Sequence, residues 1–200
     1  MAASAQMQAQ LLEYLALLQH WNRAYNLTAV REPVSMVQRH LLDSAAIVPF
    51  LPAGANRGID VGTGAGLPGV PLAILRPDLY LDLLDSNSKK TRFLFQVKTA
   101  LGLDNMTILH SRAERLRPGR PYDLVLSRAF ASLGEMSKTC YHLCVQGGHF
   151  LAMKGGVTEQ ELNAIDSRTR LESVHALAVP GLDEQRHLVV LSRVEKQELV

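Results

Sequence analysis

The spacing of hydrophobic positions changes along this chain, and the change divides it. Leu11, Leu12, Leu15, Leu18 and Trp21 recur at helical intervals and predict an amphipathic helix that ends in a polar, aromatic turn over residues 21–28. Val34, Val37, Leu41, Leu42 and Ala45 predict a second helix over residues 33–48, stopped by Pro49, Pro52 and Gly54. His40 and Asp43 fall on one side of it, as a helix-face pair or as part of a cleft wall. Further on, short apolar runs alternate with helical stretches. Strands are expected at residues 59–61, 80–85, 106–110, 122–130 and 148–155. The helices between them start near Leu67 and span residues 88–101, 132–143 and 159–165. Two last strands, residues 171–179 and 187–194, are joined by Pro180-Gly181-Leu182-Asp183-Glu184. Alternation of this kind predicts an α/β fold built on a mostly parallel seven-stranded sheet. Residues 1–54 form a helical cap on a core of residues 55–194, in one domain spanning 1–200, and the polar tail at 195–200 is expected to be loose.

The chemistry centres on Arg57 to Pro71, RGIDVGTGAGLPGVP. An apolar run holding one acid, Asp60, leads to glycines at alternate positions, Gly62, Gly64 and Gly66. Strand, glycine turn and helix make a nucleotide-binding βα unit. Glycine serves there because the turn visits positive φ and a ligand approaches bare backbone. Two prolines place the start of a helix, whose positive dipole end faces the loop. Gly64-Ala65-Gly66-Leu67-Pro68-Gly69 matches the dinucleotide form G-x-G-x-x-G. The acid two residues before Gly62 instead suits the cationic amino and sulfonium groups of S-adenosylmethionine, which is the favoured cofactor.

A carboxylate about twenty residues past the loop, Asp85, is placed to accept from ribose hydroxyls. Ser111-Arg112-Ala113-Glu114, just past the third strand, suits an adenine edge. Arg112, Arg115, Arg117 and Arg120, with Lys89, Lys90 and Arg92 on the helix after Asp85, are candidates for a phosphate-facing rim. Ser127 and Arg128 end the fourth strand, and Lys154 ends the fifth.

Composition narrows the setting without choosing a partner. The chain has 200 residues, 47% of them apolar, and a net charge of +2, so only the distribution of charge can argue for nucleic acid. Cys140 and Cys144, four residues apart, are expected as two buried thiols on one helix and not as a disulfide or metal site. Neither a membrane span nor a signal peptide is expected, which predicts a cytoplasmic protein.

Together Trp21-Asn22, Tyr25-Asn26-Leu27-Thr28, Arg39-His40-Leu41-Leu42-Asp43-Ser44, Asp60 to Gly69 and Ser127-Arg128-Ala129-Phe130 carry a resemblance. The chain resembles the bacterial small-subunit ribosomal RNA guanine-N7 methyltransferases, also called glucose-inhibited division protein B. The resemblance covers residues 11–194, although the family usually has a longer lead before the first helix. It implies the class I S-adenosylmethionine-dependent methyltransferase fold, which is Rossmann-like, and a substrate in 16S ribosomal RNA or the small-subunit particle. It also implies a cofactor site that includes Gly62, Leu67, Ala113, Glu114 and Arg128. A monomer is expected.

The residues agree with that chemistry. Amine methylation needs a polar clamp after the fourth strand, where this chain has Ser127-Arg128-Ala129-Phe130. Carbon-5 methylation needs a cysteine in a loop. Guanine N7 has an in-plane lone pair and no proton to lose, so alignment replaces a general base. Arg128 does not deprotonate, so it is expected to touch the cofactor, a phosphate or guanine O6. Lys154 is a candidate RNA contact and Phe130 a candidate stacking partner for the base. Two alternatives from other classes are an NAD(P)-linked oxidoreductase using Gly64 to Gly69 and Asp85, and a non-catalytic RNA-binding module that keeps the cofactor.

Overall fold

A computed structural model describes residues 3–130 and 132–194; the tail expected at 195–200 lies outside them. Seven strands form one sheet: β1 (Arg57–Val61), β2 (Tyr80–Asp85), β3 (Met106–His110), β4 (Tyr122–Ser127), β5 (Cys144–Lys154), β6 (Thr169–Ala176) and β7 (His187–Arg193). Their order is β3-β2-β1-β4-β5-β7-β6. Pairings among β1 to β5 are parallel, and β7 runs antiparallel to both β5 and β6. The order reverses between β1 and β4, which opens a crevice at the carboxyl ends of those strands.

Both faces of the sheet are covered, so the strands read as nearly continuous apolar runs, divided between two cores by their period of two. Leu124, Leu126, Leu151, Leu188 and Val190 point into one layer. Their neighbours Val125, Phe150, Val189 and Leu191 point into the other. The first layer holds α1 (Ala5–Tyr25), α4 (Gly69–Leu75) and α5 (Ser88–Leu101). Tyr14, Leu15 and Leu18 are the buried face of α1, and Trp21 meets Phe93 of α5 at a ring-centroid distance of 5.9 Å. The second layer holds α6 (Leu133–Cys140), which buries Leu133, Met136 and Cys140. A short helix, α7 (Glu159–Asn163), packs beside α6.

Three sequence expectations change. The helix predicted over 33–48 is a composite: α2 (Pro33–Met36), a wider π-helical segment (Val37–Leu42), α3 (Asp43–Ala45) and a 3₁₀ turn (Val48–Phe50). A π segment re-aims the side chains it carries, here Arg39 and His40. The helix expected near Leu67 starts at Gly69, whose N–H, without a partner inside the helix, donates to Asp60 Oδ2 at 2.9 Å. Cys140 and Cys144 do not share a helix. Cys140 closes α6, Tyr141–Leu143 turn as 3₁₀, and Cys144 opens β5. Both thiols are buried, as expected, and burial pushes each up to about 12.

Candidate active site

The glycine loop is held from both sides by carboxylates. Asp60 lies on β1 with no exposed surface. Its Oδ2 accepts from Thr63 Oγ1 at 2.6 Å and from Gly69 N at 2.9 Å. Burial pushes its carboxyl up to about 6, against the opposing pull of those two hydrogen bonds. Asp85 ends β2, and its Oδ2 accepts from Gly64 N at 2.9 Å while Oδ1 accepts from Asn87 N at 2.8 Å. The backbone of Gly62 and Thr63 also donates to Leu84 O, at 2.8 and 3.1 Å. From the first helix, Tyr14 donates to Ala65 O at 2.8 Å. Ser127 Oγ donates to Val61 O at 2.8 Å and accepts from Ala129 N at 3.1 Å, which couples the exits of β1 and β4.

Two cavities open at these strand ends, on either side of the β4 exit. The first holds about 300 Å³ and is lined by Gly62, Asp85, Lys90, Arg112, Ala113 and Glu114, with Phe130 at its rim. Four predicted cofactor residues therefore come together: Gly62, Asp85, Ala113 and Glu114. This cavity is the candidate site for S-adenosylmethionine. Gly62 stands at φ +70, and an ideal Cβ there would lie 2.8 Å from Ala129 Cβ, so a side chain would close this wall. Asp85 retains acceptor capacity, since a carboxylate offers about four lone-pair sites. Glu114 is an exposed acceptor at the far end.

Other predicted cofactor residues sit elsewhere. Asp60 is sealed beneath the loop, where its Oδ2 braces the turn while its Oδ1 has no hydrogen-bond partner among the described residues. Gly66 and Leu67 are also buried under the loop, with Leu67 part of the core. Gly64 presents its N–H to Asp85. Arg128 faces the second cavity.

That second cavity holds about 280 Å³ and includes Arg39, His40, Asp43, Arg128, Lys154 and Arg186 in its lining. Asp43 has 3% of its side chain exposed and anchors two arginines: Arg128 Nη1 at 3.0 Å and Arg186 Nε at 3.2 Å. Arg128 also donates to Arg39 O at 3.0 Å. Glu184 receives both Arg39 amino groups, at 2.9 and 2.6 Å. His40 does not pair with Asp43. Its Nε2 meets Thr28 Oγ1 at 3.0 Å, and Thr28 is held in turn by Asn22. Burial pulls His40 below the usual histidine range, and the Arg39 backbone opposes that shift.

The candidate RNA residues divide as well. Lys89, Arg92 and Arg115 are exposed. Arg112 lines the first cavity, and Lys90 Nζ lies 3.5 Å from Asp85 Oδ2, so these two belong to that cavity. Arg117 donates to Glu114 O and Leu116 O. Arg120 precedes β4 and pairs with Asp123, at the opposite end of the sheet from both cavities. Lys154 pairs with Glu161 at 2.8 Å and donates to Phe130 O, so it ties β5 to α7 and the β4 exit. Sequence reasoning does not single out Arg39, Arg186 or Tyr14 as site residues. Arg39 carries a signal, standing beside His40 and four residues before Asp43, whereas nothing local marks Arg186.

Among the described residues, no helix is long and apolar enough to cross a membrane, and no group of His, Cys, Asp and Glu could hold a metal ion.

Known proteins match both chain and fold. The family model for rRNA small subunit methyltransferase G matches residues 7–189. Ribosomal RNA small subunit methyltransferase G of Pseudomonas aeruginosa (strain LESB58) is 56% identical over 192 residues, covering 96% of this chain and 89% of the relative. The protein of that name from Ectopseudomonas mendocina (strain ymp) is 52% identical, covering 95% and 89%. Among solved structures, TrmN from Thermus thermophilus has a TM-score of 0.60 at 19% identity, covering 86% of this chain and 53% of its own. N-methyltransferase NodS from Bradyrhizobium japonicum WM9, in complex with S-adenosyl-l-homocysteine, has a TM-score of 0.61 at 12% identity, covering 91% and 98%. At such low identity these structures speak to the fold alone, a class I methyltransferase sheet. With the family model spanning most of its length and relatives identical at more than half of their aligned positions, the chain belongs to the rRNA small subunit methyltransferase G family.

Proposed function

We propose that this chain, working as one cytoplasmic monomeric unit, transfers a methyl group from S-adenosylmethionine to N7 of a guanine in 16S ribosomal RNA. Support comes first from the family. The observation that carries the choice of atom is the chemistry at the β4 exit. Asp43, the buried carboxylate of the second cavity, is engaged by two arginines. His40 is buried and hydrogen-bonded to Thr28. Asp43 is committed to its arginines and burial pulls His40 below the usual histidine range, which disfavours both as proton acceptors, and N7 has no proton to give.

S-adenosylmethionine, when bound, supplies an electrophilic methyl on a sulfonium. Gly62 and its neighbours offer backbone to it, Asp85 accepts from the ribose hydroxyls, and Glu114 accepts from the adenine amine. The guanine enters from the second cavity, past Arg128. A bare arginine there would oppose the positive charge growing on the guanine ring. Asp43, at 3.0 Å, compensates it. The protein's task is then alignment, and placement alone can supply roughly 7–11 kcal/mol of the barrier. The base must leave its stack to reach the crevice.

The test is RNA with 7-deazaguanine at the modified position. It keeps the Watson–Crick edge and loses the nucleophilic lone pair. It is expected to bind and to accept no methyl; methylation of that nucleotide would remove N7 as the target.

A further inference from the structure

The second cavity holds its arginines in two different ways. Arg128 and Arg186 are anchored on Asp43, which is buried and cannot leave. Among the described residues, Glu184 is the carboxylate that hydrogen-bonds Arg39, through both amino groups, at 2.9 and 2.6 Å. The Arg39 and Glu184 side chains are 37% and 48% exposed. Arg186 Nη2 also reaches Glu184, at 3.4 Å. Glu184 lies on the connection between β6 and β7. That connection is pinned to the protein at its base by Leu177 and Val179, both buried in the first core layer. Leu177 N donates to Arg186 O at 2.7 Å and Leu182 N to Val179 O at 3.1 Å, so the connection is tied on both sides of Glu184, which is itself exposed.

We propose that Glu184 is an internal stand-in for an RNA phosphate: its carboxylate occupies the Arg39 fork until a phosphodiester of the substrate displaces it. The fork geometry that binds a carboxylate through two parallel hydrogen bonds binds a phosphate in the same way. An exposed pair contributes little, so it exchanges readily with a competing anion, whereas a buried pair does not. Arg39 Nη1 and Nη2 become the phosphate donors, Glu184 rotates into solvent, and Asp43 keeps Arg128 and Arg186 in place throughout. The new pairing is made only by RNA that already reaches the second cavity, so Glu184 acts as a latch that discriminates against loosely bound polyanions. This inference rests on the reading of the chain as an RNA methyltransferase.

The test is a double-mutant cycle on the full chain, with a short single-stranded RNA carrying the target sequence as the probe. Glu184→Gln keeps the shape and removes the charge. It is expected to tighten RNA binding about two- to fivefold at low salt, the scale of one exposed ion pair. The log–log salt slope should stay as in the unmodified chain, because Arg39 neutralises one phosphate in both. Arg39→Gln is expected to weaken binding and to flatten the slope by about 0.7, the value for one neutralised phosphate on a single strand. In the Arg39→Gln background, Glu184→Gln should give no further gain. An equal gain with and without Arg39 would reduce Glu184 to one more surface charge and overturn the proposal. Inorganic phosphate is titrated separately. If it binds more tightly to Glu184→Gln while RNA affinity stays unchanged, the site serves free phosphate and the RNA assignment fails. Methyl transfer by the unmodified chain on small-subunit RNA is measured alongside. Loss of that activity would sink the functional reading itself, whereas transfer with an unaltered Glu184→Gln titration would sink only the latch.

Discussion

The two cavities at the β4 exit are built on opposite principles. The candidate cofactor side is centred on backbone: a glycine loop whose N–H groups are held by Asp85 and Leu84 O, with the rest of its lining from the exits of β2, β3 and β4. The other side is shaped by charged side chains from three separate places: Arg39 and Asp43 on the composite helix, Arg128 at the β4 exit and Arg186 before β7. A backbone cradle can be written in about ten consecutive residues, as in the glycine-rich nucleotide loops. A cluster of arginines around a buried carboxylate needs the π segment, the β4 exit and the β6–β7 connection brought together first.

The arginine side depends most on Asp43. Replacing it by Asn leaves two arginines without their buried anion, and loss of one partner from such a pair typically destabilises by about 3–5 kcal/mol. Urea unfolding of Asp43→Asn should show a loss on this scale, with S-adenosylmethionine affinity retained by the folded protein. A loss below about 1 kcal/mol would mean that the arginine side does not depend on this carboxylate.

On the loop side, the buried acid gives a pH signature. Asp60 has its carboxyl pushed from 3.8 up to about 6, so the folded chain holds a proton that the unfolded chain has released. Its contribution to stability is complete below pH 3.8 and is lost as pH rises through about 6. The loss is on the order of 3 kcal/mol. Asn at this position can still accept from Thr63 and Gly69 and has no charge to bury. The stability of the unmodified chain relative to Asp60→Asn should therefore fall across that window. A flat difference from about pH 4 to about pH 7 would show that the burial of Asp60 is relieved in solution.

Asp85→Ala is expected to weaken S-adenosylmethionine binding by roughly 1.5–3 kcal/mol, the scale of hydrogen bonds to a charged group. The variant also frees Gly64 N, so calorimetry should be paired with a circular-dichroism check of folding. Unchanged affinity would leave Asp85 as a loop brace only. The smallest effect belongs to the exposed rim. Neutralising Lys89 and Arg92 together should flatten the salt dependence of RNA binding by about 0.7 for each phosphate no longer neutralised, with cofactor affinity unchanged. An unmoved slope would make both residues part of an ordinary solvated helix face.

Legibility in the sequence follows the same division. Asp85, Gly62 and the Ala113-Glu114 pair are readable because each occupies a strand exit, and strand exits follow from a period of two and a glycine turn. For Asp60 spacing gives only its distance from Gly62; that it is fully buried and braces Thr63 and Gly69 through one oxygen is decided by the pleat and the packing around it. Lys90 and Lys154 look like exposed cations for RNA, and pairing with Asp85 and Glu161 draws each of them inward.

By itself, then, the sequence determined the alternation of strands and helices, the glycine turn with its acids, and the family. These depend on neighbours along the chain, where period and turn chemistry act directly. The tertiary structure alone decided that Arg39, Asp43, Arg128 and Arg186 share one cavity, and that Tyr14 of the first helix pins the loop at Ala65. Residues 14 and 65, or 43 and 186, have no common period. They meet only because burial of two apolar layers against one twisted sheet folds the cap and the β6–β7 connection over the same strand ends.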